Sequence, residues 1–383
     1  MFNRATKYLE KGNTNKAISF FKKTLREREF KEAYLNLGNA YRLVDKVDLA
    51  TECYLHAASL DVPFYDGKYG AYSLAYCNLG LLEYYLGNDD NAIAFYTACL
   101  DLDPLHMDAI WNYSTTLLRK GCSGEDINWD TAWKMYSYRF KRSSAVRITN
   151  SLHEWDGVSF VDKIVVLSEQ GIGDKLMFGR YIHMLSAYCN TVVVQCHPSL
   201  DIFFSSWETC REPTDGYGIP ICSLAKIFGF APAQWLNFGP RKVIDGKIGI
   251  VASGSVTHAN NRNRSAPGHY FSVLSEFGNL SNLSPTVLNI SGITEEGSLD
   301  WNKTIESVLS CSLVISVDTS IVHLCGSLGV PCLVLQPLAE TDFRWGNKNL
   351  DYWESYWYPS VTVIRNPGSW KKTFEKVITC LKQ

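Results

Sequence analysis

Lys163-Ile164-Val165-Val166-Leu167-Ser168-Glu169-Gln170-Gly171-Ile172-Gly173-Asp174 is an apolar run that ends in a glycine-spaced polar turn. Residues 163–167 read as a buried strand with Ser168 at its end, and residues 175–188 read as a helix. Strand, glycine turn and helix in that order begin a parallel α/β sheet. Working outward, residues 191–195 form the next apolar strand, closed by Pro198. A second series begins near Gly246 with a strand at 247–252, followed by a polar loop at 253–267. It continues with an apolar run at 313–317, the turn Asp318-Thr319-Ser320, a short helix at 321–328 and a strand at 330–335. Residues 370–381 read as a closing helix. Two such series predict two doubly wound lobes facing a cleft, with ligand at the carboxyl ends of the strands.

The first 142 residues have another texture. Leu37-Gly38-x-x-Tyr41 is followed by Ala50, Tyr54 and Ala57; Leu79-Gly80 is followed by Ala92, Tyr96, Cys99 and Pro104. Ala17 and Phe21 belong to an earlier, truncated copy. Ala17 and Ala50 are 33 residues apart and Ala50 and Ala92 are 42, which places an insert near residues 63–70. A last, stretched unit runs through Trp111-Asn112-Tyr113 to Ala132-Trp133 and Tyr136. Small residues let two helices approach, and aromatics fill the space between hairpins. The pattern resembles the tetratricopeptide repeat over residues 1–142. The resemblance implies a curved array with a concave binding face. For any single aromatic, plain helix-on-helix packing is the alternative reading.

Bulk properties narrow the function. With 46% hydrophobic residues in 383, the chain can bury a sizeable core. A formal net charge of -2 and a pI near 6.5 show no global basic excess for nucleic acid or an anionic membrane. The longest apolar runs fall far below the roughly 18 residues that span a bilayer, and the first residues lack an apolar signal region. None of the twelve cysteines forms a C-x-x-C pair. A scattered reduced set suits a cytosolic protein better than a disulfide framework or a zinc site.

Three polar segments carry chemistry or capping. Glu169–Asp174 brings backbone close to a ligand through Gly171 and Gly173, but lacks the third glycine of a dinucleotide fingerprint. Asp174 is either a helix N-cap or a carboxylate able to take a proton from an incoming hydroxyl. Asp318-Thr319-Ser320, with His323 one turn on, either caps a helix beside a buried histidine or holds a diphosphate. The loop from His258 to Ser265 offers Arg262 and Arg264, either solvated or suited to bidentate phosphate contacts.

These segments occur in order with Pro220-Ile221-Cys222-Ser223-Leu224, Phe343-Arg344-Trp345 and Trp357-Tyr358-Pro359. Together they resemble the heptosyltransferase-like module of glycosyltransferase family 9 found fused to tetratricopeptide repeats, across nearly all of residues 155–370. The resemblance implies a GT-B fold: helical repeats at 1–142, an acceptor-side Rossmann-like lobe at 143–243 and a nucleotide-sugar lobe at 244–383. It implies inverting, metal-independent transfer from a nucleotide sugar to an acceptor hydroxyl. Asp174 would be the general base, with Glu169 its competitor. Gly171, Gly173, Arg262, Arg264, Asp318, Thr319, Ser320 and His323 would bind the donor. No cofactor beyond the donor is implied, and the repeats would recruit a protein or glycan acceptor. The alternative is an inactive transferase-like protein that binds nucleotide and acts as a repeat scaffold.

Overall fold

The computed structural model describes residues 1–60, 70–141, 152–258, 260–288 and 290–383. The body of the expected insert, residues 63–69, and the boundary expected at 142/143 lie outside the described residues. The backbone divides into two compact units. One is Met1–Leu118 with Lys134–Ser143; the other is Arg119–Trp133 with Ser144–Gln383.

The first unit is built from helical hairpins. Its helices are α1 (Phe2–Glu10), α2 (Thr14–Glu27), α3 (Lys31–Arg42), α4 (Val47–Ser59), α5 (Gly70–Leu86), α6 (Asp89–Leu102) and the start of α7 (Met107–Cys122). The residues of helix α8 (Trp129–Tyr136) are divided between the two units at Trp133 and Lys134. The small-and-large pairing of the sequence has a direct steric cause. A Cβ at Gly38 would lie 2.5 Å from Cε1 of Tyr54, and one at Gly80 would lie 2.6 Å from Cε1 of Tyr96. Each glycine lets the tyrosine of the partner helix lie flat on its backbone. Ala17, Ala50 and Ala92 are fully buried at the matching positions, as are Tyr54 and Tyr96. The Tyr54 hydroxyl donates to Oδ1 of Asn39 at 2.7 Å, so burial costs it no hydrogen bond.

The second unit holds two sheets. The first contains β1 (His153–Glu154), β2 (Val161–Leu167), β3 (Cys189–Gln195), β4 (Glu208–Cys210) and β5 (Tyr217–Pro220), in the order β1-β5-β2-β3-β4 and parallel throughout. The second contains β6 (Lys247–Val251), β7 (Asn279–Asn282), β8 (Thr294–Glu295), β9 (Leu313–Val317), β10 (Cys332–Leu335), β11 (Tyr352–Glu354) and β12 (Val361–Ile364). Its order is β11-β12-β10-β9-β6-β7-β8, and only β11 runs antiparallel to its neighbour. Strands buried on both faces need continuous apolar runs, which is why β6, β9 and β10 were legible. Ile250, Phe271, Leu274, Ile315, Leu335 and Phe374 form the centre of one core around the second sheet. The remaining helices are α9 (Ile172–Phe178), α10 (Leu224–Phe228), α11 (Asn261–Arg264), α12 (Trp301–Ser310), α13 (Ser320–Leu328) and α14 (Trp370–Leu381).

The architecture is therefore helical repeats followed by parallel α/β lobes, as the patterning implied. Two local expectations change. Short β1, β4, β5, β7, β8, β11 and β12 and the helices α10, α11 and α12 were not read from the sequence. The helix expected at 175–188 instead starts at Ile172 and tightens to a 3-10 helix over Gly179–Ala187. The cause is local: the Leu176 carbonyl accepts from the Trp235 indole at 2.9 Å and the Ser327 hydroxyl at 3.1 Å. The Trp235 ring also fills the space beside Gly179, where a Cβ would lie 2.4 Å from it. Among the described residues no helix is long and apolar enough to cross a membrane. All twelve cysteines are free thiols, ten of them buried.

Candidate functional site

A cleft of about 900 Å³ opens within the second unit. One wall comes from the turn between β2 and α9, the other from the carboxyl ends of β6 and β9 and the loops that follow them. Gly171, Gly173 and Asp174 line the first wall; Arg264, Asp318, Thr319, Ser320 and His323 line the second. Eight of the ten residues singled out in the sequence thus meet around one space. The other two do not. Glu169 is 5% exposed and accepts from the Cys222 backbone N–H at 3.0 Å, which ties the turn to the loop after β5. Gln170 beside it adopts a left-handed φ of 53°. Arg262 is exposed on α11 and is not part of the cleft lining.

Asp174 is not an N-cap. It is the third residue of α9, behind the capping position Gly171, and its Oδ2 accepts from the Gly171 N–H at 2.8 Å. Its Oδ1 accepts from Nη2 of Arg344. Nη1 of Arg344 donates to both oxygens of Asp342, at 2.9 and 2.8 Å, and its Nε lies 3.1 Å from Sδ of Met177. One guanidinium therefore joins two carboxylates across the cleft. Burial raises the Asp174 carboxyl above the usual range; Arg344 and the Gly171 N–H pull it back without cancelling the rise. Burial also works against ionising Asp342, but there Arg344 outweighs it and holds the carboxyl low. Arg344 and Asp342 had no assigned role in the sequence reading. The only signal was Arg344's place in the Phe343-Arg344-Trp345 segment.

The second wall is richer in hydroxyls. Thr319 caps α13, its Oγ1 accepting from the Ile321 N–H at 3.3 Å and lying 3.2 Å from the Ser316 hydroxyl. Burial, with the nearby Asp342 charge, pushes the Asp318 carboxyl up to about 6. Arg264 donates from Nη1 to the Asp318 carbonyl at 3.1 Å, and its Nε is buried with no partner among the described residues. A Cβ at Gly254 would lie 2.4 Å from the same guanidinium, so glycine there leaves room for it. His323 is 6% exposed, stacks on Trp345 with ring centroids 5.2 Å apart, and sits with Nδ1 3.0 Å from the Tyr358 hydroxyl. Burial and Arg344 push its imidazole down to about 3, so it is neutral at physiological pH. The ring also explains Gly173, where a Cβ would lie 2.7 Å from Cδ2 of His323. Nε2 lies on the Gly173 side, facing the first wall, and donates from N–H in the tautomer whose Nδ1 accepts from the Tyr358 hydroxyl.

Comparison with known proteins bears first on the repeats. A family model described as tetratricopeptide repeat matches residues 31–104, and the N-terminal unit carries tetratricopeptide repeats. No curated protein matches the chain. Among solved structures, MamA is 25% identical with a TM-score of 0.30, covering 36% of this chain and 72% of that one. YrrB, described as a TPR protein with an unusual peptide-binding site, is 16% identical with a TM-score of 0.29, covering 37% and 66%. The dodecameric iron-containing glycosyltransferase TibC from enterotoxigenic E. coli H10407 is 13% identical with a TM-score of 0.42, covering 56% and 67%.

Proposed function

We propose that the cleft transfers a sugar from a nucleotide-sugar donor to an acceptor hydroxyl. The observation that carries this reading is the pairing of two dissimilar walls. A carboxylate on the first faces a turn of hydroxyls, backbone N–H groups and a guanidinium on the second. In the proposed reaction the acceptor oxygen attacks the anomeric carbon, the bond from that carbon to the diphosphate oxygen breaks, and the nucleoside diphosphate leaves. The acceptor proton passes to Asp174, a step typically worth about 10²–10⁴-fold in rate.

The roles divide by chemistry. Arg264 and the N–H groups at the start of α13 offset diphosphate charge without a metal ion. Asp318, Thr319 and the Nε2–H of His323 engage hydroxyls and oxygens of the donor. Arg344 aims the Asp174 carboxylate and is itself held by Asp342. Glu169 braces the turn and takes no proton. The boundaries 1–142, 143–243 and 244–383 and the GT-B, heptosyltransferase-like class belong to the same proposal, with repeats that select a protein or glycan acceptor. A second reading, a nucleotide-binding scaffold without turnover, is favoured by one fact: both Asp174 oxygens already have partners.

The test is a panel of nucleotide sugars, read by thermal shift and by release of nucleoside diphosphate. Binding with release supports transfer. Binding without release, with or without added magnesium or manganese, supports the scaffold. No stabilisation by any nucleotide or nucleotide sugar contradicts both.

A further inference from the structure

Within the first unit, the N-terminal hairpin and the stretch from α5 to Leu118 carry opposite charge. Residues 1–28 contain eight Lys or Arg and two Asp or Glu; residues 70–118 contain six Asp or Glu and no Lys or Arg. Helices α1 to α6 pack in chain order, so α3 and α4 separate these two segments along the stack.

Each segment also presents apolar surface among its charges. On the N-terminal hairpin the rings of Tyr8 and Phe20 lie 5.3 Å apart between centroids. Arg4 stands over both, at 5.9 and 5.0 Å; Lys16 stands 5.8 Å from Tyr8 and Lys23 5.7 Å from Phe20. All three cations are exposed, and both rings are half-buried. In the other segment, the corner between α6 and α7 exposes Asp101 and Asp108 beside Leu102 and Leu105, which are 56% and 69% exposed. These leucines supply an apolar centre and the carboxylates a charged rim, the arrangement that an interface uses.

We propose that the aromatic-basic face of one copy of this chain docks on the leucine-acidic corner of another. The leucines would cover the Tyr8 and Phe20 rings, and the carboxylates would meet Arg4, Lys16 and Lys23 around them. Exposed ion pairs are individually weak, so the apolar centre supplies affinity while the charges set register and encounter rate. Because the two faces differ, the contact is head-to-tail and generates a ring or an open filament. The charge asymmetry and the ring geometry carry this inference independently of the chemistry proposed for the cleft.

Sedimentation velocity on the full chain tests it. The wild type should associate at low ionic strength, with a dissociation constant that rises at least tenfold at about 0.5 M salt, where screening is strong. Lys16→Glu with Lys23→Glu makes the patch around Tyr8 and Phe20 acidic, like the corner it should meet; Asp101→Lys with Asp108→Lys makes that corner basic, like the patch. Each variant alone should be monomeric. An equimolar mixture should associate again in alternating order, which only folded variants can do. A wild type that stays monomeric at low salt overturns the proposal, as does association that survives either reversal. Monomeric variants that fail to recombine overturn it too, and so does a wild-type monomer whose basic face is bound only by anionic vesicles or nucleic acid.

Discussion

After β2 the chain turns through Gln170 in the left-handed region and enters the seven-residue helix α9; after β9 it turns at Asp318 and enters the nine-residue α13. Both turns open on the same cleft, yet they treat charge differently. Asp174 lies inside its helix and has its carboxylate engaged by the Gly171 N–H and by Arg344. Asp318 lies before its helix and forms no ion pair among the described residues, while burial raises it to about 6. One charge is held in position. The other is raised by burial and by Asp342, against weaker pulls from the Trp345 side chain and the Arg264 and Arg344 charges. The same backbone device thus yields one wall suited to aiming a carboxylate and one suited to gripping a polar ligand.

The largest effect should come from making the first turn resemble the second. Arg344→Met leaves Asp174 without its cation, and losing one partner of a buried pair costs about 3–5 kcal/mol. Denaturant unfolding at neutral pH should show that loss, shrinking in acid as the carboxyls take up protons. An unchanged midpoint would mean that Arg344 is incidental to the wall. Gly173→Ala should follow, because its Cβ would meet the His323 ring at 2.7 Å. Crowding of this kind costs about 1–3 kcal/mol; a variant as stable as wild type would show that the walls are not in contact through His323.

Asp318→Asn sharpens the contrast through pH. The folded carboxyl is raised, so its protonated form stabilises the fold below the ordinary value of 3.8, and that contribution is lost as pH rises through about 6. The Asn variant should therefore gain on wild type between about pH 4 and pH 7, by on the order of 2 kcal/mol. A stability difference that is flat across that window would remove the case for a strained Asp318. Thr319→Ala should cost least, about 1 kcal/mol for a lost N-cap, read as a small fall in Tm. No fall at all would mean the cap bond at 3.3 Å contributes nothing.

How much of this was legible depends on distance along the chain. Gly38 with Tyr54 and Gly80 with Tyr96 are each sixteen residues apart and recur, so the repeat was readable from spacing. Strands β6, β9 and β10 were readable because both faces are buried. The Asp174–Arg344 pair joins residues 170 positions apart, and nothing in either local pattern announces the other. Glu169 was plausible as a base because it is a carboxylate on a glycine turn; only the fold shows it bonded to the Cys222 N–H and outside the cleft lining. Short β4, β5, β7 and β12 were missed because three or four residues carry too little period to read.

The division of labour between the two turns is tested most directly by single-turnover transfer with Asp174→Asn, using whichever donor the nucleotide panel identifies. The asparagine oxygen can still accept from the Gly171 N–H, so helix capping survives while basicity is lost. The chemical step should slow by about 10²–10⁴-fold with donor affinity little changed, while the melting temperature falls less than in Arg344→Met because Arg344 keeps Asp342 as a partner. A near-normal rate in Asp174→Asn, together with inactivity in Glu169→Gln, would contradict the account: the base would lie at Glu169, and Asp174 would be a structural residue at the start of α9.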